Sequence, residues 1–373
     1  MISNGLTRKG ILASGGAYAP PRRARSNSNK KLYVDKVKTI RGIGELKSLK
    51  LLKPPRLEEG DTVGVIAPSH PIQPFQEKYD QGIKNLKRFG FKVKEGKTVK
   101  LQHMGYMAGT DLERADDINA MFADEEVSAI ICALGGSIAI RCLRHLDYDL
   151  IRRNPKIFSG MSNITIFHIA FLTKAGLTGL HQSDVVFGFG ADMNSEEAIY
   201  ENELFFRVTR NAEPLGLLPA LTKWEVWRQG KAEGRLFGGS INSAETMLGT
   251  PYYPKLNEDI IFFWESIGQP LDELDAKFTH FRESGIFERT RGMLIGKFRD
   301  EVSDPSSKNS QTIRDRTDEI KGLVMDITAD YDFPIIGNMD FGHYTPNLPL
   351  PIGIKAAMDT DGTKVWLKES YVK

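Results

Sequence analysis

From residue 62 onward, short apolar runs alternate with polar stretches whose apolar residues recur at helical spacing. Val63-Gly64-Val65-Ile66-Ala67 follows a Gly60-Asp61 turn and stops at Pro68, the pattern of a buried strand. Over 74–89, Phe75, Tyr79, Ile83 and Leu86 mark one face of a helix that ends at Gly90. Residues 91–94 predict a second strand, and Asp111 is placed to cap a helix through Ala115, Ile118, Met121 and Phe122. Residues 127–134 are apolar enough for a central strand. A fourth strand begins in 155–160, and a helix follows over 164–175. This alternation predicts an α/β unit: a mostly parallel sheet covered on both faces.

The pattern weakens after Gly190. Residues 191–233, with Pro214, Pro219, Trp224 and Trp227, predict a connector. From 234 the chain turns to glycines and short apolar runs, Leu236-Phe237-Gly238-Gly239 and then Ile260 to Trp264. An amphipathic helix is expected over 271–284, and the polar 300–318 stretch is expected to be an exposed insertion. The division that results is a tail (1–50), an α/β domain (51–190), a connector (191–233) and a β-rich domain (234–373).

Composition sharpens this picture in three places. The 373 residues suffice for two domains, and no apolar run approaches the roughly 20 residues of a membrane span, so no membrane partner is expected. Cys132 and Cys142 make no disulfide framework and are expected as buried free thiols. The net charge of +2 conceals an asymmetry: residues 1–34 carry seven Lys/Arg and no acid, leaving −5 for the rest. An acidic body argues against nucleic acid as the main partner. The basic, Ser-rich tail fits an organelle transit peptide or a disordered segment. Its glycines and Pro20-Pro21 favour disorder. The seven histidines show no His-x-x-x-His spacing, and neither metal nor cofactor is expected.

The candidate chemistry lies at Gly135-Gly136, with Ala139 just beyond and Glu265 and Gly342-His343 far downstream. A strand that ends in Gly-Gly and turns into a helix can aim backbone amides at a developing oxyanion. Acyl transfer also needs a nucleophile at the turn, a histidine to take its proton and a carboxylate to orient that histidine. Taken alone, Gly-Gly after a strand is better accounted for as a tight strand–helix turn.

Several ordered segments together resemble the LD-carboxypeptidase family, which includes the microcin C self-immunity peptidases. They are Leu52 to Leu57 with Gly60-Asp61 and Ala67-Pro68-Ser69; Gly135-Gly136 with Arg141, Leu143 and Asp147-Tyr148-Asp149; and Asn154-Pro155-Lys156 with Gly160 to Thr165. Gly234-Arg235-Leu236, Gly238-Gly239, Leu248 to Pro251, Phe263-Trp264-Glu265 and Gly342-His343 with Pro346-Asn347 and Leu350 to Gly353 complete the set. The resemblance implies an α/β N-terminal domain and a β-rich C-terminal domain with the site between them. It implies a metal-free serine peptidase in which Glu265 orients His343 as general base and the amides of Gly136 and Ile140 form the oxyanion hole. It further implies a small murein-derived peptide or an aminoacyl-nucleotide as substrate, and a homodimer; with nothing demanding an oxidising compartment, a cytoplasmic location is expected.

The departures matter as much as the match. The family's serine falls eight residues before Asp147, where this chain has Ala139. Ser137 lies two positions upstream, and moving the frame to use it breaks the spacing to Arg141 and Asp147. A misplacement of ~1 Å already costs roughly a hundredfold in rate. Asn163 stands where the family usually has aspartate. Arg141 is a candidate for a substrate carboxylate or for an ion pair with a nearby acid. His181 is a candidate substrate contact or a packed side chain, and His145 is expected on a solvated face. The expected function is a peptidase scaffold, inactive or strongly impaired by Ala139. The alternatives are a non-catalytic peptide-binding pseudoenzyme and an active peptidase with an engineered serine-to-alanine change.

Overall fold

The computed structural model describes residues 51–300 and 314–373. The expectations for the tail, and for most of the 300–318 stretch, lie outside these residues.

The N-terminal half is built from β1 (Thr62–Ile66), α1 (Gln76–Arg88), β2 (Lys92–Glu95), α2 (Asp111–Ala123), β3 (Val127–Cys132), α3 (Tyr148–Arg153), β4 (Ile157–Gly160), α4 (Thr165–Ala175), β5 (Gly179–His181) and α5 (Glu196–Arg210). β1 to β5 are all parallel, in the order β5-β4-β3-β1-β2. Successive residues of β3 point to opposite sides. Ala129 and Ile131 join Val63, Val65 and Leu180 in one core, while Ile130 and Cys132 join Ile66, Phe122 and Phe158 in the other. Both faces are thus covered, as parallel strands require.

Three expectations need correction here. The cap of α2 is Thr110, which forms a reciprocal capping box with Glu113; Asp111 is inside the helix and pairs with Arg114 and Arg141. The connector contains a full helix, α5, capped by Ser195 and led by Glu196 and Glu197. Its apolar face was obscured because that face also carries the buried Glu201. At the end of the polar 300–318 stretch, Arg316 and Thr317 are buried, against the expectation of exposure there.

The second half comprises β6 (Gly216–Leu217), β7 (Glu225–Arg228), β8 (Lys231–Ser240), α6 (Ile241–Glu245), β9 (Ile260–Glu265), α7 (Leu271–Glu283), β10 (Thr290–Gly296), β11 (Arg299–Asp300), β12 (Arg314–Asp315), α8 (Thr317–Ile327), β13 (Ile335–Met339), β14 (Leu350–Ile352), β15 (Lys355–Asp359) and β16 (Lys364–Leu367). Eight of these strands form a mixed sheet in the order β6-β16-β15-β8-β9-β10-β13-β7. Its centre, β8-β9-β10-β13, is parallel, and its margins are antiparallel. The expected β-rich unit therefore has a parallel heart, with α7 and α8 beside it.

One strand crosses between the sheets. β14 pairs antiparallel with β5, so it closes the N-terminal sheet although it follows β13 of the other. The chain between β13 and β14 must therefore pass from one sheet to the other, and His343 lies on that passage.

Candidate active site

Two loops meet at the end of the N-terminal sheet. Beyond β3 the chain turns through Gly135-Gly136 and enters a 3-10 helix at Ala139–His145. Gly136 has φ +148°, and a Cβ there would lie 2.5 Å from Ser69 Oγ and 2.5 Å from the His70 ring. Only glycine lets the loop after β1 pack this closely. Arg114 of α2 fastens the two loops from beneath. Fully buried, it donates to the carbonyls of Pro68 (3.3 Å) and Ile138 (3.4 Å) and pairs with Asp111 at 2.9 Å.

Ala139 is fully buried among apolar neighbours including Cys142 and Leu143. Its amide donates to Asn163 Oδ1 at 2.8 Å. Neither the Gly136 nor the Ile140 amide makes a hydrogen bond to another described residue. Ser137, by contrast, is exposed, and its Oγ lies 3.0 Å from His70 Nε2.

The second sheet delivers the carboxylate. β9 is buried along its whole length, flanked in parallel by β8 and β10, and it ends at Glu265. Trp264 locks this end against Phe278 and Phe298. His343 Nδ1 is hydrogen-bonded to Glu265 Oε2. Gly342, at φ +116°, makes this approach possible, since a Cβ there would meet Glu265 Cβ at 2.9 Å. A buried network holds the same passage in place. The Gly342 amide donates to Asn347 Oδ1 (3.0 Å), and the Asn347 amide donates to Glu201 Oε1 (2.7 Å). Asn347 Nδ2 donates to Ser183 Oγ (2.8 Å), which donates to Glu201 Oε2 (3.0 Å).

The electrostatics fit a carboxylate–imidazole pair. Burial pushes Glu265 upward, but the charge and hydrogen bond of His343 outweigh it and hold the carboxyl below its usual range. Burial pushes His343 downward, yet the charge and hydrogen bond of Glu265, with help from Asp184, raise it. Asp184 is a buried acid that the sequence did not flag. Burial drives it up to about 7, against the pull of the Phe187 and Gly135 amides and of His343.

The remaining predicted residues divide. Arg141 forms an ion pair with Asp111 at 3.0 Å. His181 is fully buried between Phe263 and Phe341, with neither ring nitrogen hydrogen-bonded, and burial lowers it to about 4. It packs against the site, near enough to feel Glu265 and His343. His145 is half-buried and accepts from Arg144. Besides Asp184, sequence reasoning missed His70, Ser243 and the Glu201–Ser183–Asn347 network. Of these, His70 directly follows the singled-out Ala67-Pro68-Ser69, and Asn347 lies within the singled-out Pro346-Asn347, although its role in the network was not foreseen.

Comparison with known proteins decides the family. Residues 63–182 match the LD-carboxypeptidase N-terminal domain, and residues 233–358 match the LD-carboxypeptidase C-terminal domain. The chain belongs to the LD-carboxypeptidase family. It is 34% identical over 316 residues to a probable murein peptide carboxypeptidase of Bacillus subtilis (strain 168), an alignment covering 83% of this chain and 92% of that protein. It is 26% identical over 342 residues to the microcin C7 self-immunity protein MccF of Escherichia coli, covering 85% and 95%. In fold it resembles the structure of MccF in complex with aspartyl sulfamoyl adenosine, with a TM-score of 0.77, 24% identity, and coverage of 86% of this chain and all of that one. The family's two-domain α/β architecture is thus the one seen here. Among the described residues no helix is long and apolar enough to cross a membrane.

Proposed function

We propose that this chain is an LD-carboxypeptidase-type scaffold that binds a small peptide or an aminoacyl-nucleotide, and that alanine at position 139 disables acyl transfer there. The observation that carries this reading is the Glu265–His343 hydrogen bond, formed across the two sheets at the family's acid and base positions. The names of the relatives support the substrate classes: one is a murein peptide carboxypeptidase, and another protein's structure holds an aminoacyl sulfamoyl nucleotide. In the proposed mechanism His343 is the base that Glu265 orients, and the unpaired amides of Gly136 and Ile140 receive the oxyanion. Alanine supplies no oxygen for the first step. The assembly is a homodimer, to be checked by sedimentation equilibrium.

A second reading is a binding protein without catalysis. It is favoured by the burial of Ala139 in the apolar core, where a hydroxyl has little room to meet a substrate. The deciding assay is cleavage of a peptide with an L,D bond and of an aminoacyl-sulfamoyl nucleotide by the chain and by Ala139→Ser. Gain of turnover in Ala139→Ser supports the peptidase scaffold. Tight binding with no gain on either substrate supports the binding protein. The coding DNA at codon 139 separates a natural from an introduced alanine.

A further inference from the structure

The Glu265–His343 arrangement leaves unused a serine at the glycine turn and a second histidine on the loop packed against it. Ser137 Oγ and His70 Nε2 are 3.0 Å apart, within the reach expected of a nucleophile and its base. Ser137 is exposed, whereas Ala139 is buried. The His70 ring lies directly over Gly136, in the space a side chain would otherwise fill. Its backbone amide donates to the Gly135 carbonyl at 3.0 Å. Arg114 binds the carbonyls of Pro68 and Ile138, so the two loops that carry the pair are fastened to one buried guanidinium.

We propose that Ser137 and His70 act as a nucleophile–base pair for acyl transfer on an amide or ester carbonyl presented at the Gly135-Gly136 turn. This rests on the peptidase reading of that turn, but it replaces position 139 and His343 as the operative groups. Ser137 Oγ bonds to the carbonyl carbon as its proton passes to His70 Nε2, and the carbonyl π pair moves onto oxygen. When the carbonyl re-forms, the bond to the leaving amine or alcohol breaks, and His70 returns the proton to it. Water then attacks the acyl-serine, giving one proton to His70 and releasing the carboxylic acid. Ser137 Oγ recovers its proton from His70. Burial and the nearby Arg114 charge hold His70 below its ordinary range, so its imidazole is neutral near pH 7, as a base must be. Ser137 breaks the family's spacing to Arg141 and Asp147, but a serine paired with His70 on the neighbouring loop does not depend on that frame.

The test is covalent labelling of the full-length chain with a fluorophosphonate, located by peptide mass spectrometry. The expected result is an adduct on Ser137. It should be absent in Ser137→Ala and form about a hundredfold more slowly in His70→Gln, whose amide can keep the hydrogen bond but cannot take the proton. Circular dichroism should show both variants folded. An unlabelled Ser137, or an equal rate in His70→Gln, overturns the proposal. Ala139→Ser separates the two levels. Labelling at position 139 but not at Ser137 rejects this pair and keeps the peptidase reading. Labelling at neither position rejects both.

Discussion

Asn163 Oδ1 accepts the amide of Ala139 at 2.8 Å. The same oxygen accepts the Ser69 hydroxyl at 2.8 Å, and Nδ2 donates to Ser243 at 3.1 Å. Asn163 thus makes three buried hydrogen bonds. It ties the glycine turn to the loop after β1 and to α6 of the second sheet. Asn163→Ala removes three buried hydrogen bonds and strands an amide, at a cost of about 2–3 kcal/mol. Urea unfolding measures this. Asn163→Asp should cost less, because its oxygens still accept and the Ser243 hydroxyl can rotate to donate. An unchanged midpoint for Asn163→Ala would mean that other contacts hold the turn.

His343 sets the pH dependence expected of Ala139→Ser. A general base must be unprotonated, and Glu265 raises His343 above its ordinary 6.5. Turnover should therefore climb with pH through a value above 6.5, and Glu265→Gln should move that value down. In stability the sign is opposite. His343's contribution is complete below 6.5 and fades as pH rises through the raised value, whereas Glu265's is lost at the acid end, as pH falls through its lowered value. A rate profile centred below 6.5 would exclude His343 as the base.

Asp184 should weaken the fold as pH rises. Its carboxyl is raised from 3.8 to about 7 by burial, so between those values the folded state holds a proton that the unfolded chain has lost. Stability then falls as pH rises across that window. Asp184→Asn should flatten the fall, as read from thermal midpoints at pH 4, 5.5 and 7. Parallel slopes in both proteins would show that the group is not buried neutral.

The connector is anchored by a buried acid. Asp340 Oδ2 accepts the amides of Leu221 (2.8 Å) and Thr222 (3.1 Å) and the Trp224 indole N–H (2.8 Å), while Oδ1 faces Lys297 Nζ at 2.8 Å. Removing one partner of such a pair leaves a buried charge uncompensated, so Asp340→Ala should cost about 3–5 kcal/mol. Lys297→Met with Asp340→Leu should recover part of this loss. Denaturant unfolding of the two variants compares them.

Gly136→Ala should be poorly tolerated. Its Cβ would fall 2.5 Å from Ser69 Oγ and the His70 ring, at a φ that side chains rarely adopt. A loss of about 2–4 kcal/mol is expected. A wild-type melting temperature would show that the two loops separate freely.

Periodicity alone placed β1, α1, β3, β4 and α4 within a few residues, because each buries a continuous apolar face that the local pattern must display. The order of the glycine, glutamate and histidine segments likewise marked the family and the Glu265–His343 pair before any coordinates. Other features were invisible to a linear pattern. α5 hid because Glu201, one of its buried positions, is an acid whose partners, Ser183 and Asn347, lie far away in the chain. His70, Asp184 and Ser243 carry no local signal, since each acquires its role from a neighbour on another element.

The sequence by itself determined an α/β fold, the Gly135-Gly136 turn and the missing oxygen at position 139. These rest on backbone geometry and side-chain identity, which are local. The tertiary structure decided that β14 crosses to pair with β5, that Ala139 is buried while Ser137 is exposed, and that His70 lies against that serine. Those outcomes depend on how two sheets and two loops pack together, and close packing couples residues whatever their distance along the chain.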